Sequence, residues 1–198
     1  SGIHSSLSWP FEIVSAKSGI DVDKMDYIMR DSYHTTGAFR FEYEQLFHHS
    51  HIIDGRIVYD PRQLVNLNTL WYMRYCMFNN VYMHPVCTAF EVMALDMLMH
   101  SGWSRDMTID DYLLLDDSDI RMLIKAGTCE AAVCISNRFI YTLVEGTGKL
   151  SSSTDSAWLT YTYNCHGGGR VLVVDNGQVR EVTLQAPGFT VNRQYVRY

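Results

Sequence analysis

Residues 19–31 read Gly19-Ile20-Asp21-Val22-Asp23-Lys24-Met25-Asp26-Tyr27-Ile28-Met29-Arg30-Asp31. Asp21 has the side chain of a helix N-cap and stands just before an apolar-periodic stretch, so a helix is predicted from Val22 to Ser32. On that helix Asp23, Tyr27 and Arg30 or Asp31 fall near one face, with Lys24 beside them. Met25, Ile28 and Met29 turn elsewhere and anchor the helix in a core. A carboxylate in a helix's first turn can hold a divalent metal, and Lys24 can neutralise a phosphate. The same string also fits a capped amphipathic helix with a solvated charged side, and periodicity alone leaves both readings open.

Outward from this helix the chain has the composition of a packed protein. Its 198 residues are 47% hydrophobic and 19% charged, with 13 Tyr, 8 Phe, 4 Trp and 10 Met for burial, so wholesale disorder is excluded. A net charge of −6 opposes general nucleic-acid binding and anionic membranes, while a local basic site for a small anion stays compatible. Five cysteines without a CxxC pair suggest neither a disulfide framework nor a zinc ribbon, and no apolar run is long enough to span a bilayer. A soluble intracellular chain, cytoplasmic or nuclear, is therefore expected. Its opening, Ser1 to Val14, resembles no natural N-terminus and reads equally as the cut edge of a longer polypeptide.

Capping chemistry marks further helices. Asp60-Pro61-Arg62-Gln63 opens one that runs through Leu70, Met73 and Met77, and Pro85 kinks or restarts it. Val86 to Met99 forms the next, ending near Gly102; Thr108 with Asp111, and Asp117 or Ser118, open two shorter ones. Two hairpins are predicted, at Ile52 to Tyr59 through Asp54-Gly55 and at Val171 to Leu184 through Asn176-Gly177. Residues 147–157, rich in Ser, read as a linker. The expected fold is mainly α, with a short β-hairpin and a small β-rich C-terminal segment: a helical domain over 1–146 and a lobe or extension over 158–198.

The GIDVDKMDY string, a later helix carrying Arg74, and Tyr82-Met83-His84-Pro85-Val86 together resemble the HD-domain deoxynucleoside triphosphate triphosphohydrolases, above all the eukaryotic members that also carry a sterile-alpha-motif domain. The likeness covers about Phe11 to Gly102 and weakens towards Gly146. It implies an HD-like helical lobe and hydrolysis of a dNTP to deoxynucleoside and tripolyphosphate. It also implies a divalent metal, whether iron, manganese, magnesium or zinc, that generates the attacking water. Asp23 matches the last aspartate of the metal shell; Lys24, Tyr27 and Arg74 match triphosphate contacts. Asp31 matches the acceptor of the sugar 3′-hydroxyl, and Tyr82 the ring packed on the deoxyribose, where it excludes a ribose hydroxyl by occupancy.

Departures from the family are equally specific. No His-Asp dipeptide occurs, so the upstream metal ligands are absent, and the chain is expected to be the downstream portion of such an enzyme, inactive by itself. The alternative is a non-catalytic nucleotide-binding or oligomerisation module. Met83 stands where the family has a base-reading glutamine, and Phe78 where it has histidine. The resemblance further implies a homo-oligomer with a regulatory nucleotide site. Asn66, His84 and Val86 match that site and Glu42 nearly does, but Gln45, Asn80 and Pro85 replace its cations, so activation by GTP or dGTP is expected to be weak or absent.

Several signals read as structural. His48-His49-Ser50-His51 is expected in a solvated loop, and Cys129, Cys134 and Cys165-His166 match no metal spacing. Residues 146–152 fail the phosphate-loop pattern, and the Gly167 to Gly169 run lacks a dinucleotide fingerprint. The Met stripe from Met73 to Met99 reads as core or a subunit contact. Arg170, Arg180, Arg193 and Arg197 give the tail a mild positive bias.

Overall fold

The Asp21 carboxylate accepts the Lys24 backbone N–H at 3.0 Å and so starts the helix expected from the opening string. The computed structural model describes residues 8–15, 20–37, 39–101, 107–144, 158–165 and 168–196. In chain order the helices are α1 (Trp9–Ser15), α2 (Val22–Thr35), α3 (Tyr43–His48), α4 (Leu64–Met77), α5 (Pro85–His100), α6 (Ile109–Leu113), α7 (Asp117–Ala126) and α8 (Glu130–Asn137). The strands are β1 (Ser50–Ile53), β2 (Arg56–Tyr59), β3 (Thr142–Val144), β4 (Trp158–Cys165), β5 (Arg170–Asp175), β6 (Gln178–Thr183) and β7 (Phe189–Val196). The chain is mainly α with short β elements, as its patterning predicts.

It divides into two units: Ser1–Val81 with Asn164–Phe189, and Tyr82–Tyr163 with Thr190–Tyr198. In the first, α2 packs on α4 and buries Met25 and Ile28. Asp54 (φ 49°) and Gly55 (φ 73°) turn β1 into β2, and Asn176 (φ 50°) and Gly177 (φ 77°) turn β5 into β6. Two successive left-handed residues suit the right-handed twist of a tight hairpin, which is why both pairs carry glycine second. The two hairpins join edge to edge, since β2 pairs with β5 in parallel through Val58↔Leu172 and Tyr59↔Val173. The sheet order is β1-β2-β5-β6, with Val58 and Val173 fully buried. A second tie comes from Asn68 on α4, whose side-chain oxygen accepts the Gln185 N–H at 2.9 Å.

In the second unit, Ala89, Val92, Met93 and Met97 of α5 pack with Ala131, Ala132 and Cys134 of α8 and with Tyr141 and Tyr195. Strands β3, β7 and β4 form its sheet, in that order.

Local differences from expectation have local causes. Asp60 caps a 3-10 turn (Pro61–Gln63) before α4 begins, and α4 runs on into a π-helical turn (Phe78–Tyr82) before Pro85 restarts the chain as α5. The cap of α7 is Asp116, one residue before the expected start, because Asp119 at N3 reciprocates it in a capping box. His48 ends α3 and His51 lies in β1, so the histidine run is not a loop. The methionines mostly serve the core, with Met73, Met77, Met83, Met93 and Met97 buried and Met99 exposed. The expected linker 147–157, the phosphate-loop-like residues 146–152, Gly102, His166, Gly167 and Arg197 lie outside the described residues. Among those residues no helix is long and apolar enough to cross a membrane.

Candidate functional site

Three of the cations and donors singled out in the sequence are fixed in place before any ligand arrives. Lys24, half-buried, points its ammonium back to the buried Asp21, with Nζ donating to Oδ2 at 2.7 Å. One turn along α2, the Tyr27 hydroxyl is hydrogen-bonded to Arg74 of α4. The Arg74 guanidinium carbon lies 4.4 Å from the ring centroid of Phe78 and 5.4 Å from that of Trp71, over both rings and within reach of a cation–π interaction with each. Burial pushes the Tyr27 phenol above its ordinary pKa; the Arg74 charge and hydrogen bond oppose the rise, and the Asp21 and Asp23 carboxylates add to it. Tyr27 is thus a neutral hydroxyl at physiological pH, able to donate to an anion.

Asp23 sits exposed in the first turn of α2. Arg30 turns to Asp26 at 2.8 Å and lies 3.8 Å from Asp31, which leaves Asp31 half-buried one turn beyond Tyr27. Asp23, Lys24, Tyr27, Asp31 and Arg74 all belong to the first unit. Tyr82 opens the second, half-buried at the end of the π-helical turn.

The structure also pairs the four residues matched to a regulatory site, two in each unit. Asn66 Nδ2 donates to the Glu42 carbonyl at 2.9 Å and to Gln63 Oε1 at 3.2 Å. In the second unit His84 is the N-cap of α5, its Nδ1 accepting the Val86 N–H at 3.3 Å.

A divalent metal is implied by the resemblance, but the residues present do not by themselves fit one. Among the described residues no three His, Cys, Asp or Glu side chains gather at ligand distance, and one exposed carboxylate is too few for a structural or catalytic ion. A cavity of about 590 Å³ in the first unit is lined by Glu12, Asp21, Met25, Phe47 and Tyr59 among others, and by none of Lys24, Tyr27, Asp31 or Arg74. It reaches the cluster only through Asp21, which lines it and holds Lys24.

Sequence reading missed the ring pair under Arg74. Trp71 and Phe78 stand three residues before and four after Arg74, which puts all three on one side of a helix, so helical spacing was the available signal.

The chain resembles part of the HD-domain phosphohydrolases in sequence, and a solved phosphohydrolase in fold. It is 27% identical over 159 residues to the deoxynucleoside triphosphate triphosphohydrolase SAMHD1 homolog of Dictyostelium discoideum, covering 73% of this chain and 31% of that protein. It is 31% identical over 97 residues to deoxynucleoside triphosphate triphosphohydrolase SAMHD1 of Danio rerio, covering 46% and 16%. A phosphohydrolase of Bacteroides thetaiotaomicron shares the fold with a TM-score of 0.70 at 13% identity, over 95% of this chain and 63% of that one. No family model matches the chain. The chain therefore spans about a third or less of the length of these curated relatives.

Proposed function

We propose that this chain is the substrate-side portion of a metal-dependent deoxynucleoside triphosphate triphosphohydrolase, which binds a dNTP through the cluster on α2 and α4. The observation that carries the reading is Arg74, laid on two rings and hydrogen-bonded to Tyr27 one turn from Lys24. Two cations and a neutral phenol, the guanidinium and the phenol already ordered together, suit a triphosphate, whose charge needs several donors. In this reading Lys24, Tyr27 and Arg74 contact the phosphates, Asp31 accepts the sugar 3′-hydroxyl, Tyr82 packs on the deoxyribose, and Asp23 supplies one metal ligand. The complete reaction cleaves the bond between the α-phosphorus and the 5′-oxygen and releases tripolyphosphate. With Asp23 as its lone ligand the isolated chain binds without turning over.

Asp23 is exposed, and among the described residues no three metal-binding side chains gather, which also favours a second reading, a non-catalytic nucleotide-binding or oligomerisation module. Under either, the chain is intracellular and forms a homo-oligomer or joins a partner carrying the missing HD portion. Glu42, Asn66, His84 and Val86 then remain as a regulatory site with poor affinity for GTP or dGTP.

Isothermal titration of the chain with dATP, with tripolyphosphate release followed in parallel, tests the proposal. Binding without release is expected, and Lys24→Met or Arg74→Ala should each weaken it about tenfold or more, the scale of one charge-assisted hydrogen bond. Unchanged affinity in both variants would refute the site, and release by the unmodified chain would refute its inactivity. Release gained on adding the complementary HD portion distinguishes the enzyme from the binding module.

A further inference from the structure

Within the second unit, strand β7 fastens the turn that leads from Tyr82 into α5. Arg193 Nη1 donates to the Met83 carbonyl at 2.5 Å and to Thr88 Oγ1 at 2.8 Å. Behind it the fully buried Tyr195 donates to the Pro85 carbonyl at 3.1 Å and shares a short hydrogen bond with the Thr88 hydroxyl. Thr88, also fully buried, returns its N–H to the His84 carbonyl at 3.0 Å. The carbonyls of Met83, His84 and Pro85 are therefore each held, two of them by β7.

Arg193 is out of place for a helix-stabilising charge. It stands at the first turn of α5, the positive end of that helix's dipole, where a cation is disfavoured. What it gains there is the Met83 carbonyl, and Met83 directly follows Tyr82. Both bonds leave one nitrogen of a planar guanidinium, whose two N–H groups point in fixed directions in that plane, whereas the N–H groups of an ammonium rotate freely on a flexible stem. A ring that excludes a hydroxyl by occupancy must be aimed closely, since a small displacement opens the space it fills.

We propose that Arg193, backed by Tyr195, is a positioning residue that fixes the Tyr82–His84 backbone, so that the C-terminal strand sets the discrimination of deoxyribose from ribose. The inference rests on the nucleotide reading above and gives residues of the tail a role in it. The same carbonyl anchor lies between Tyr82 and His84, so it joins a candidate substrate contact to a candidate regulatory one through the backbone.

The test compares three probes on the 198-residue chain by isothermal titration: dATP, ATP and inorganic tripolyphosphate, which has no sugar. The unmodified chain is expected to prefer dATP to ATP. Arg193→Ala should reduce that preference about tenfold, the scale of one lost steric exclusion, while tripolyphosphate affinity stays within about twofold. Arg193→Lys should retain part of the preference, and it carries the test alone if the alanine variant does not fold. Tyr82→Ala is the control that removes the ring itself.

If Tyr82→Ala abolishes the preference and Arg193→Ala leaves it intact, the positioning role is overturned and the nucleotide reading stands. Equal losses of dATP, ATP and tripolyphosphate affinity in Arg193→Ala would mark a general structural role and overturn it as well. Absence of dATP binding by the unmodified chain overturns the nucleotide reading and this inference with it.

Discussion

Replacing Asp21 with asparagine separates two jobs of one carboxylate. Asp21 Oδ1 accepts the Lys24 N–H at 3.0 Å, while Oδ2 holds the Lys24 ammonium at 2.7 Å. Asparagine keeps an oxygen for the cap and removes the charge. Breaking a fully buried ion pair costs about 3–5 kcal/mol, and an exposed pair is worth about 0.2–1 kcal/mol. The Asp21 side chain is 5% exposed but that of Lys24 is 26% exposed, so the freed ammonium can rehydrate. The expected loss for Asp21→Asn is therefore between those limits, about 1.5–2 kcal/mol. Asp21→Ala also removes the cap and should lose about 1 kcal/mol more. Urea unfolding followed by helical circular dichroism measures both.

The same change should act oppositely on ligand binding, because Lys24 released from Asp21 is free to turn to a phosphate. In titrations with dATP, Asp21→Asn should bind more tightly than the unmodified chain and Lys24→Met more weakly. The reasoning is refuted if folded Asp21→Asn weakens dATP binding as Lys24→Met does. It also fails if the asparagine and alanine variants unfold at the same urea concentration.

Two further outcomes follow from the first unit. Gly168 has φ +80°, and a Cβ there would lie 2.1 Å from the Leu184 carbonyl oxygen, whereas a Cβ on Gly177 meets nothing within 4 Å. Gly168→Ala should therefore destabilise by more than about 2 kcal/mol and Gly177→Ala by about 1 kcal/mol, a ranking that thermal melts of the two variants check. Burial, with Glu12 and Asp21 nearby, pushes the Tyr59 phenol from 10 up to about 12. The folded chain thus keeps a proton that the unfolded chain releases, so this contribution is full below about pH 10 and is lost as pH rises through about 12. It amounts to about 3 kcal/mol, and Tyr59→Phe should flatten that part of the stability profile in alkaline urea titrations; an unchanged slope would contradict it.

What the sequence made legible was local. Asp21, Thr108 and the Asp54-Gly55 and Asn176-Gly177 pairs act through bonds to residues two or three positions away, so their chemistry is written in adjacent letters. The parallel joining of β2 to β5 was not legible, because Val58 and Leu172 each show only the alternation of a half-buried strand and nothing names the partner. Arg193 was hidden for the same reason: its neighbours in sequence are β-strand residues, and its acceptors, Met83 and Thr88, are more than a hundred positions away. In the candidate site, spacing grouped Asp23, Lys24, Tyr27 and Asp31, but bringing Arg74 to Tyr27 required the packing of α2 on α4.

The proposed activity is distributed unevenly along the polypeptide. Of the two cations proposed for the site, Arg74 is preorganised by Trp71, Phe78 and Tyr27, whereas Lys24 is held by Asp21 and must leave it to reach a phosphate. Arg74 has little rotamer entropy left to lose when a triphosphate arrives, which favours affinity. The anionic half is a single exposed carboxylate, Asp23, and affinity for a hard divalent ion grows with the number of oxygen and nitrogen ligands brought together. Nucleotide binding and metal binding are therefore separable by mutation: Arg74→Ala should weaken the first about tenfold or more, and nothing done to Asp23 should alter dATP affinity measured in a chelator. An Asp23→Asn variant that lost dATP binding under those conditions would show that the carboxylate orders the phosphate contacts themselves, and the two halves would have to be treated as one.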